Sequence, residues 1–529
     1  MKKIHIPLLV FILSILFNFT STAQASRNLD RLSSIDFSPQ TLAGCWHYEA
    51  NNKIYALIGA SYGLIIIDIT IPDSPMVVLQ VPGIHNLWRE VKVSGQHAYI
   101  TTEGLDSTGI LNGVQIVNLS YLPDSAPSKI YKGDGLIENQ LMSAHSITSD
   151  ENYIYINGHN IQSVGRGVLI CDISDPWNPV YVGAVTNNYC HDSYVRGDTI
   201  WTSDIIAGIF SVYDISDRSN PVLLATQQTP GNFNHNAWLS DDGNTLFTTD
   251  ERGNEPLGSF DVSDLNNITL LDTYFTNNFS SSEVHNVRVL NDFLINPSYG
   301  SQLTLVDASR PNNLVEVGNY TTGNYLLWDA DPYFSNGVIA ATETNPGIFF
   351  VFRPTYQRAA YLEGLITDSI SGIPIPGATI RILGTTIQKN SKGTGDYYTG
   401  VADPGTYDIE FTKTGYAAKT ISGVSLNTGI VTTLDVQLRP LGISVGTIGF
   451  AENISVSPNP FNKYLIVGSP DQLVDQINIF NILGEQVKTF LPESTSGRFE
   501  LNTEFLPDGL YLVQLISKGS SAYRKLIKN

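Results

Sequence analysis

Seven stretches of this chain repeat one pattern: GLIIIDITIPDSP (63–75), GVQIVNLSYLPDS (113–125), GVLICDISDPWNP (167–179), GIFSVYDISDRSNP (208–221), LGSFDVSDLNN (257–267), QLTLVDASRPNN (302–313) and GIFFVFRP (347–354). In the first six an apolar strand closes on Asp68, Asn118, Asp172, Asp214, Asp261 or Asp307, and most then enter a turn rich in Asp, Asn, Ser and Pro. Such side chains hydrogen-bond nearby backbone and stop a strand. Recurrence at roughly 40 to 50 residues means repeated supersecondary units, none of which buries its apolar face alone.

A second feature precedes the repeated strands. His47, His85, His145, His191, His235 and His285 each open a strand, and Trp328-Asp329 stands at the seventh place, so six of the nine histidines recur with the repeat. A turn and another strand follow each, as in HNAWLSDDGNTLFTTDE (235–251), where Asp241-Asp242-Gly243 supplies a hairpin. One unit therefore reads as strand a from the His, strand b, strand c with the Asp ending, and strand d, such as PVLLATQQ (221–228). Four antiparallel strands at this period predict an all-β fold, a seven-bladed β-propeller over residues 28–355. The seventh unit runs out after three strands at Arg353-Pro354. Because an open edge invites aggregation, NLDRLSSIDFSP (28–39) is expected to pair with residues 347–353 and close the ring.

Charge and targeting signals narrow the partners. Fifty acidic residues against 30 basic ones give a net charge of −20, which repels phosphate backbones and argues against nucleic acid. Lys2 and Lys3, the apolar run to Phe19 and the small residues up to Ala25 have the order of a secretory signal peptide over residues 1–25. No later segment is apolar for long enough to span a bilayer, so no transmembrane segment is expected after cleavage. Cys45, Cys171 and Cys190 allow at most one disulfide. Cys45 and Cys190 stand just ahead of recurring histidines, but in units too far apart around a ring to share a site, and read as small buried hydrophobes.

The repeated strand resembles the LVIVD repeat family, and the segment from about 28 to 355 resembles the propeller of the exported "choice-of-anchor B" proteins. Residues 361–438, opening YLEGLITDSISGIPIPGATIRILGT, alternate apolar positions with Pro-Gly turns and are similar to the carboxypeptidase regulatory-like domain, which implies a small transthyretin-like β-sandwich. The Gly-rich run 384–400 reads as a hairpin loop rather than a phosphate loop, because no helix follows it. Residues 452–529, with ISVSPNPFNKYLIVGS, INIFNILGEQVKTF and LPDGLYLVQLISKGSSAYRKLIKN in order, resemble the type IX secretion C-terminal sorting domain of Bacteroidetes. That resemblance implies a third β domain, a partnership with outer-membrane export machinery, and a protein that is secreted or held at the outer-membrane surface.

Within a blade, strand a leaves the face to which strand b returns, so each recurring His is expected to share one face with the end of strand b. Those ends carry Glu103, His159, Asp204, Asp250 with Glu251, Ser298 and Glu343. The candidate ligand-binding set on this axial face is His47, His85, His145, His191, His235, His285, Asp329, Glu103, Asp204, Asp250 and Glu343, placed there by the repeat. Three readings stay open: a structural ring locking blade to blade, a face that binds a divalent metal or polar ligand, or a His–acid pair in catalysis. The break in symmetry at Trp328, Asp329 and Asp331 places any ligand site on that side. No HExxH, GxSxG or paired CxxC is present, so no catalytic residue is assigned and no cofactor is firmly implied. The function expected is a secreted binding or scaffold protein with an unidentified extracellular ligand or protein partner, the alternative being an extracellular hydrolase or lyase at the channel mouth.

Overall fold

The residue that ends each repeated strand folds its own turn. The computed structural model describes residues 26–104, 112–276, 283–300, 302–322, 326–441, 454–469, 474–492, 497–517 and 520–529. In it the side-chain oxygens of Asp68, Asn118, Asp172, Asp214, Asp261 and Asp307 each accept the amide two residues on, at 2.6–3.1 Å. The apolar residue between (Ile69, Leu119, Ile173, Ile215, Val262, Ala308) is buried, and its amide bonds back to the start of strand b. The Asp-Ile-Ser signature is thus a strand stop and a core anchor in one. The expected signal peptide lies outside the described residues.

The described residues up to Pro354 form seven antiparallel sheets. Sheet 1 is Leu42–Ala50, Lys53–Ala60, Gly63–Asp68 and Met76–Pro82; sheets 2 to 5 follow with inner strands Val91–Ser94, Ser146–Ser149, Asp192–Arg196 and Asn234–Leu239. The inner edge of sheet 6 is split into Glu283–Val284 and Arg288–Leu290, and sheet 7 begins at Leu327–Asp331. Inner strands touch in succession from sheet 1 to sheet 6, sheet 6 reaches the inner strand of sheet 7 through Phe293–Tyr299 and the Arg288–Asp329 pair, and that strand returns to the inner strand of sheet 1, so the ring is closed. Leu29–Asp36 supplies the fourth strand of sheet 7, pairing from Leu29 with Pro354 to Asp36 with Ile348. Ser26–Arg27 adds an outer strand to sheet 6, against Asn319 and Tyr320.

Strand alternation turns this ring into a core. In Gly63–Asp68, Ile65 and Ile67 pack toward sheet 7 with Phe349 and Val351, while Leu64 and Ile66 pack toward sheet 2 with Ile100 and Val117. A strand with both faces buried reads as an unbroken apolar run, the character of the repeated motif. All three cysteines are free and buried, and burial pushes the thiols of Cys45 and Cys190 well up.

The middle domain is two facing sheets, one built on Ala360–Asp368 and the other on Gly405–Thr412. The alternating pattern of 361–438 predicts a compact antiparallel sandwich, but Val431–Thr433 and Val436–Leu438 pair parallel with Ala360–Asp368. The run 384–400 closes a hairpin with Gln388–Asn390 and then crosses to the other sheet through Asp396–Val401. This domain sits on sheet 6. Asp307, fully buried, accepts Arg358 Nη1 and the Ala359 amide, both at 2.8 Å, and Arg310 meets Glu363 through two bonds of 2.6 and 2.7 Å.

The C-terminal domain is a separate unit. A three-stranded sheet (Ser455–Ser457, Tyr464–Ser469, Gly497–Asn502) faces a four-stranded one (Gln476–Phe480, Gln486–Phe490, Gly509–Ser517, Ser520–Lys528) around Leu465, Ile477, Val513 and Leu515. No helix among the described residues is long and apolar enough to cross a membrane.

Candidate functional site

Four of the six recurring histidines come together. The carbonyls of His145, His191 and His285 accept hydroxyls of Thr101, Ser146 and Thr249 in the preceding sheet at 2.7–2.9 Å, which fixes one position per sheet just ahead of the inner strand. The imidazoles of His145, His191, His235 and His285 stack in an arc with centroids 4.0, 4.3 and 4.2 Å apart, ending on the Trp328 indole at 4.9 Å.

His47 and His85 are not members, and the register explains why. In sheet 1 the same inter-sheet bond, from Thr342 Oγ1, reaches the carbonyl of Ala43, so Ala43 holds the position that His145 holds in sheet 3. The Glu90 side chain occupies the space here; a Cβ on Gly44 would stand 2.5 Å from Glu90 Oε2. In sheet 2 the position belongs to Arg89, whose guanidinium turns away to the carbonyls of Ala60 and Ile84. His47 lies farther along the inner strand, stacked on Trp46 at 5.0 Å and bonded through Nδ1 to Asp331 at 2.9 Å. His85 is exposed on a loop beside Tyr62.

Main chain of the next sheet caps the arc. Nδ1 of His191 donates to the His235 carbonyl at 3.2 Å, and Nδ1 of His285 donates to that of Trp328 at 2.5 Å. A carbonyl only accepts, so the proton of each neutral ring sits on Nδ1 and the lone pair on Nε2. Burial, then the neighbouring imidazoles, hold His191 and His285 well below the usual imidazole range, and burial also lowers His235. His145 differs. Burial opposes its charge, yet the Glu103 carboxylate 2.7 Å from Nδ1 holds it above the ordinary value.

Glu103 and Glu251 bring carboxylates to the outer rim of the arc. Each lies two residues after the threonine that bonds the next sheet, Thr101 or Thr249. Glu251 Oε2 is 3.7 Å from His235 Nε2 and its Oε1 is 3.9 Å from His285 Nε2. Both acids keep solvent contact, with side chains 33% and 24% exposed. Tyr299 holds the same place in sheet 6, its ring 4.4 Å from His285.

Asp204 and Asp250 do other work. Asp204 accepts Ser211 Oγ and Asn188 Nδ2, and Asp250 accepts Thr229 Oγ1 and the amides of Gly231 and Phe233, so each ties down the loop that leads into its inner strand. Glu343 is the counterpart in sheet 7. It is fully buried, and burial, only partly offset by the Thr322 side chain, pushes it up to about 8. His159, at the Glu103 position of sheet 3, accepts the Ile161 amide at Nδ1 and is lowered by burial to about 4.

Beneath the arc the axis is plugged. Arg288 bonds both oxygens of Asp329 at 3.1 and 3.0 Å, and Asp329 also takes the amides of Cys45 and Ala330. Trp328 Nε1 donates to Glu90 at 2.6 Å across the place where sheet 1 carries only Ala43 and Gly44, and burial, then Asp329, raises Glu90 to about 7. Lys92 and Arg288 lie over the Trp46 ring at 4.1 and 5.1 Å. The remaining void is about 10 Å³, room for one water. The side marked by Trp328, Asp329 and Asp331 is therefore internally paired, and the open polar groups are Glu103 and Glu251, on the opposite flank of the arc.

Comparison with known proteins covers all three regions. Residues 143–187 and 285–322 match the LVIVD repeat, 361–439 the carboxypeptidase regulatory-like domain, and 455–529 the secretion system C-terminal sorting domain. Carboxypeptidase D of Homo sapiens is 34% identical over 84 residues and that of Mus musculus 32% over 84, in each case 16% of this chain and 6% of the relative. The chain thus spans only a small part of those relatives. Among solved structures, a 6-phosphogluconolactonase candidate from Bacteroides fragilis aligns with a TM-score of 0.45 at 11% identity, over 68% of this chain and 97% of that one. The Swd1 β-propeller domain of Myceliophteria thermophila aligns with a TM-score of 0.45 at 10% identity, over 62% and 100%. The sorting domain directs a chain to the type IX export machinery, and so to the cell surface or the extracellular space. The chain is an exported LVIVD-repeat β-propeller protein that carries a carboxypeptidase regulatory-like domain and a secretion-system C-terminal sorting domain.

Proposed function

We propose that the propeller is a binding module that takes an extracellular ligand at the axial rim where Glu103 and Glu251 meet solvent beside His145 and Tyr299. The observation that carries this reading is the pair of rim carboxylates, Glu103 and Glu251, set against imidazoles of the arc while Arg288, Asp329 and Glu90 below them are internally paired. A partly exposed carboxylate held beside a buried imidazole is a polar, preorganised acceptor surface, suited to a cationic or hydroxyl-rich ligand. The regulatory-like and sorting domains serve display: one packs on sheet 6, the other addresses the chain to export.

Binding of the purified chain to an array of extracellular polysaccharides and proteins tests this. Capture that is lost in a Glu103→Gln/Glu251→Gln variant of unchanged thermal stability is expected. Capture indifferent to both changes would move the site off the rim, and turnover of a captured polymer abolished by them would make the protein an enzyme.

A further inference from the structure

We propose that His191, His235 and Glu251 bind a single divalent transition-metal ion at the axial rim of the propeller. One ligand atom from each lies within 4.8 Å of the other two. Metal bonds of about 2.0–2.1 Å in tetrahedral geometry require ligand atoms roughly 3.4 Å apart. His235 Nε2 and Glu251 Oε2 are already at 3.7 Å, and Glu251 is the partly exposed member of the three.

The chemistry of the facing atoms argues for a cation. Nδ1 of His191 and of His285 is committed as donor to a carbonyl, so both rings present Nε2 as a lone pair. A backbone carbonyl holding the far nitrogen is the support that metal-ligating histidines usually have, because it fixes tautomer and ring plane. The Glu251 carboxylate stands 3.9 Å from the His285 lone pair and 3.7 Å from His235 Nε2, in both cases beyond hydrogen-bond distance. A carboxylate and an imidazole lone pair that face each other repel unless a positive charge lies between them. Two imidazoles with one carboxylate select a transition metal over calcium or magnesium. His285 Nε2, facing the other Glu251 oxygen, offers a third nitrogen as a fourth ligand, and the solvent side leaves room for a ligand atom. The proposal deepens the rim-binding reading and rests on it.

The test is titration of the full-length, chelator-stripped chain with Zn²⁺ by calorimetry and with Co²⁺ by visible absorption. One ion per chain is expected, with affinity lowered about 10–100-fold in Glu251→Gln and in His235→Ala, and within twofold of the parent in His85→Ala. Glu251→Gln changes a partly exposed side chain and keeps its shape, so it reads the site even where His235→Ala destabilises the fold. Absence of saturable binding of Zn²⁺ and Co²⁺, or binding unchanged in Glu251→Gln, would overturn the metal site. A chelator-stripped chain that binds no metal but still captures polymer through Glu103 and Glu251 would leave the rim-binding reading standing, whereas loss of both would remove both.

Discussion

Nδ1 of His285 donates to the carbonyl of Trp328 at 2.5 Å while the two rings stand 4.9 Å apart, so one side chain joins sheets 6 and 7 by a hydrogen bond and by packing. Its carbonyl in turn accepts Thr249 Oγ1 from sheet 5. One residue thus stitches three consecutive sheets, and a chain of such contacts gives the ring its order around the axis.

Removing that link has a definite cost. His285→Ala leaves a cavity beside Trp328 and removes the shorter of two bonds to its carbonyl, and is expected to lower unfolding stability by about 2–4 kcal/mol. The exposed His85→Ala should stay within about 0.5 kcal/mol. Denaturant titration of the two variants checks both values.

The arc should also make the fold sensitive to acid. His191, His235 and His285 have folded-state values below the ordinary 6.5, so the unfolded chain binds more protons than the folded one once pH falls through 6.5. Their contribution is complete above pH 6.5 and shrinks below it, by about 2 kcal/mol per deeply shifted ring at pH 5. His145 and His47, held above 6.5 by Glu103 and Asp331, work in the opposite sense and blunt the loss. A His191→Asn variant should therefore lose less stability between pH 7 and pH 5 than the parent does.

Glu343 has the reverse sign. A carboxyl raised from 4.5 to about 8 keeps its proton in the folded state and gives it up when unfolded, so stability falls as pH rises from 4.5 toward 8. Glu343→Gln should be more stable than the parent by about 2–4 kcal/mol at pH 8 and close to it at pH 5, read as the pH dependence of the unfolding midpoint.

The two equivalent strand-ending acids Asp261 and Asp307 should differ sharply. Asp261 holds only its own turn, through Ser263, whereas Asp307 also takes Arg358 and the Ala359 amide at the base of the middle domain. Asp261→Ala is expected to cost about 1 kcal/mol and Asp307→Ala about 3 kcal/mol, the latter with faster proteolysis near residue 358.

Much of this was legible in the sequence because the signals are local. The Asp-Ile-Ser turns are built within three residues, and the strand-c alternation is the alternation of the core, so repeat, ring and closing strand could be read directly. The site was only half legible. His47 and His85 match the repeat by eye but not by register, which is set by non-local bonds such as Thr342 to Ala43 and by Glu90 occupying the gap above Gly44. The acids suffered from the two-residue period of a strand: Asp204, Asp250 and Glu343 turn back to their own loops, while the neighbouring place, held by Glu103 and Glu251, faces the imidazoles. The sequence signal was the threonine two residues earlier, Thr101 and Thr249, whose role shows only once adjacent sheets are in contact.

The imidazole arc is tested most directly by long-range ¹H–¹⁵N NMR of the chain labelled at histidine nitrogen, at pH 7 in the presence of chelator. His191 and His285 should show a protonated Nδ1 and a pyridine-type Nε2, and the Nε2 signals of His191 and His235 should shift together on addition of Zn²⁺. Rings that carry the proton on Nε2, or that exchange freely between tautomers, would mean that the next sheet does not hold them and that no such hub exists.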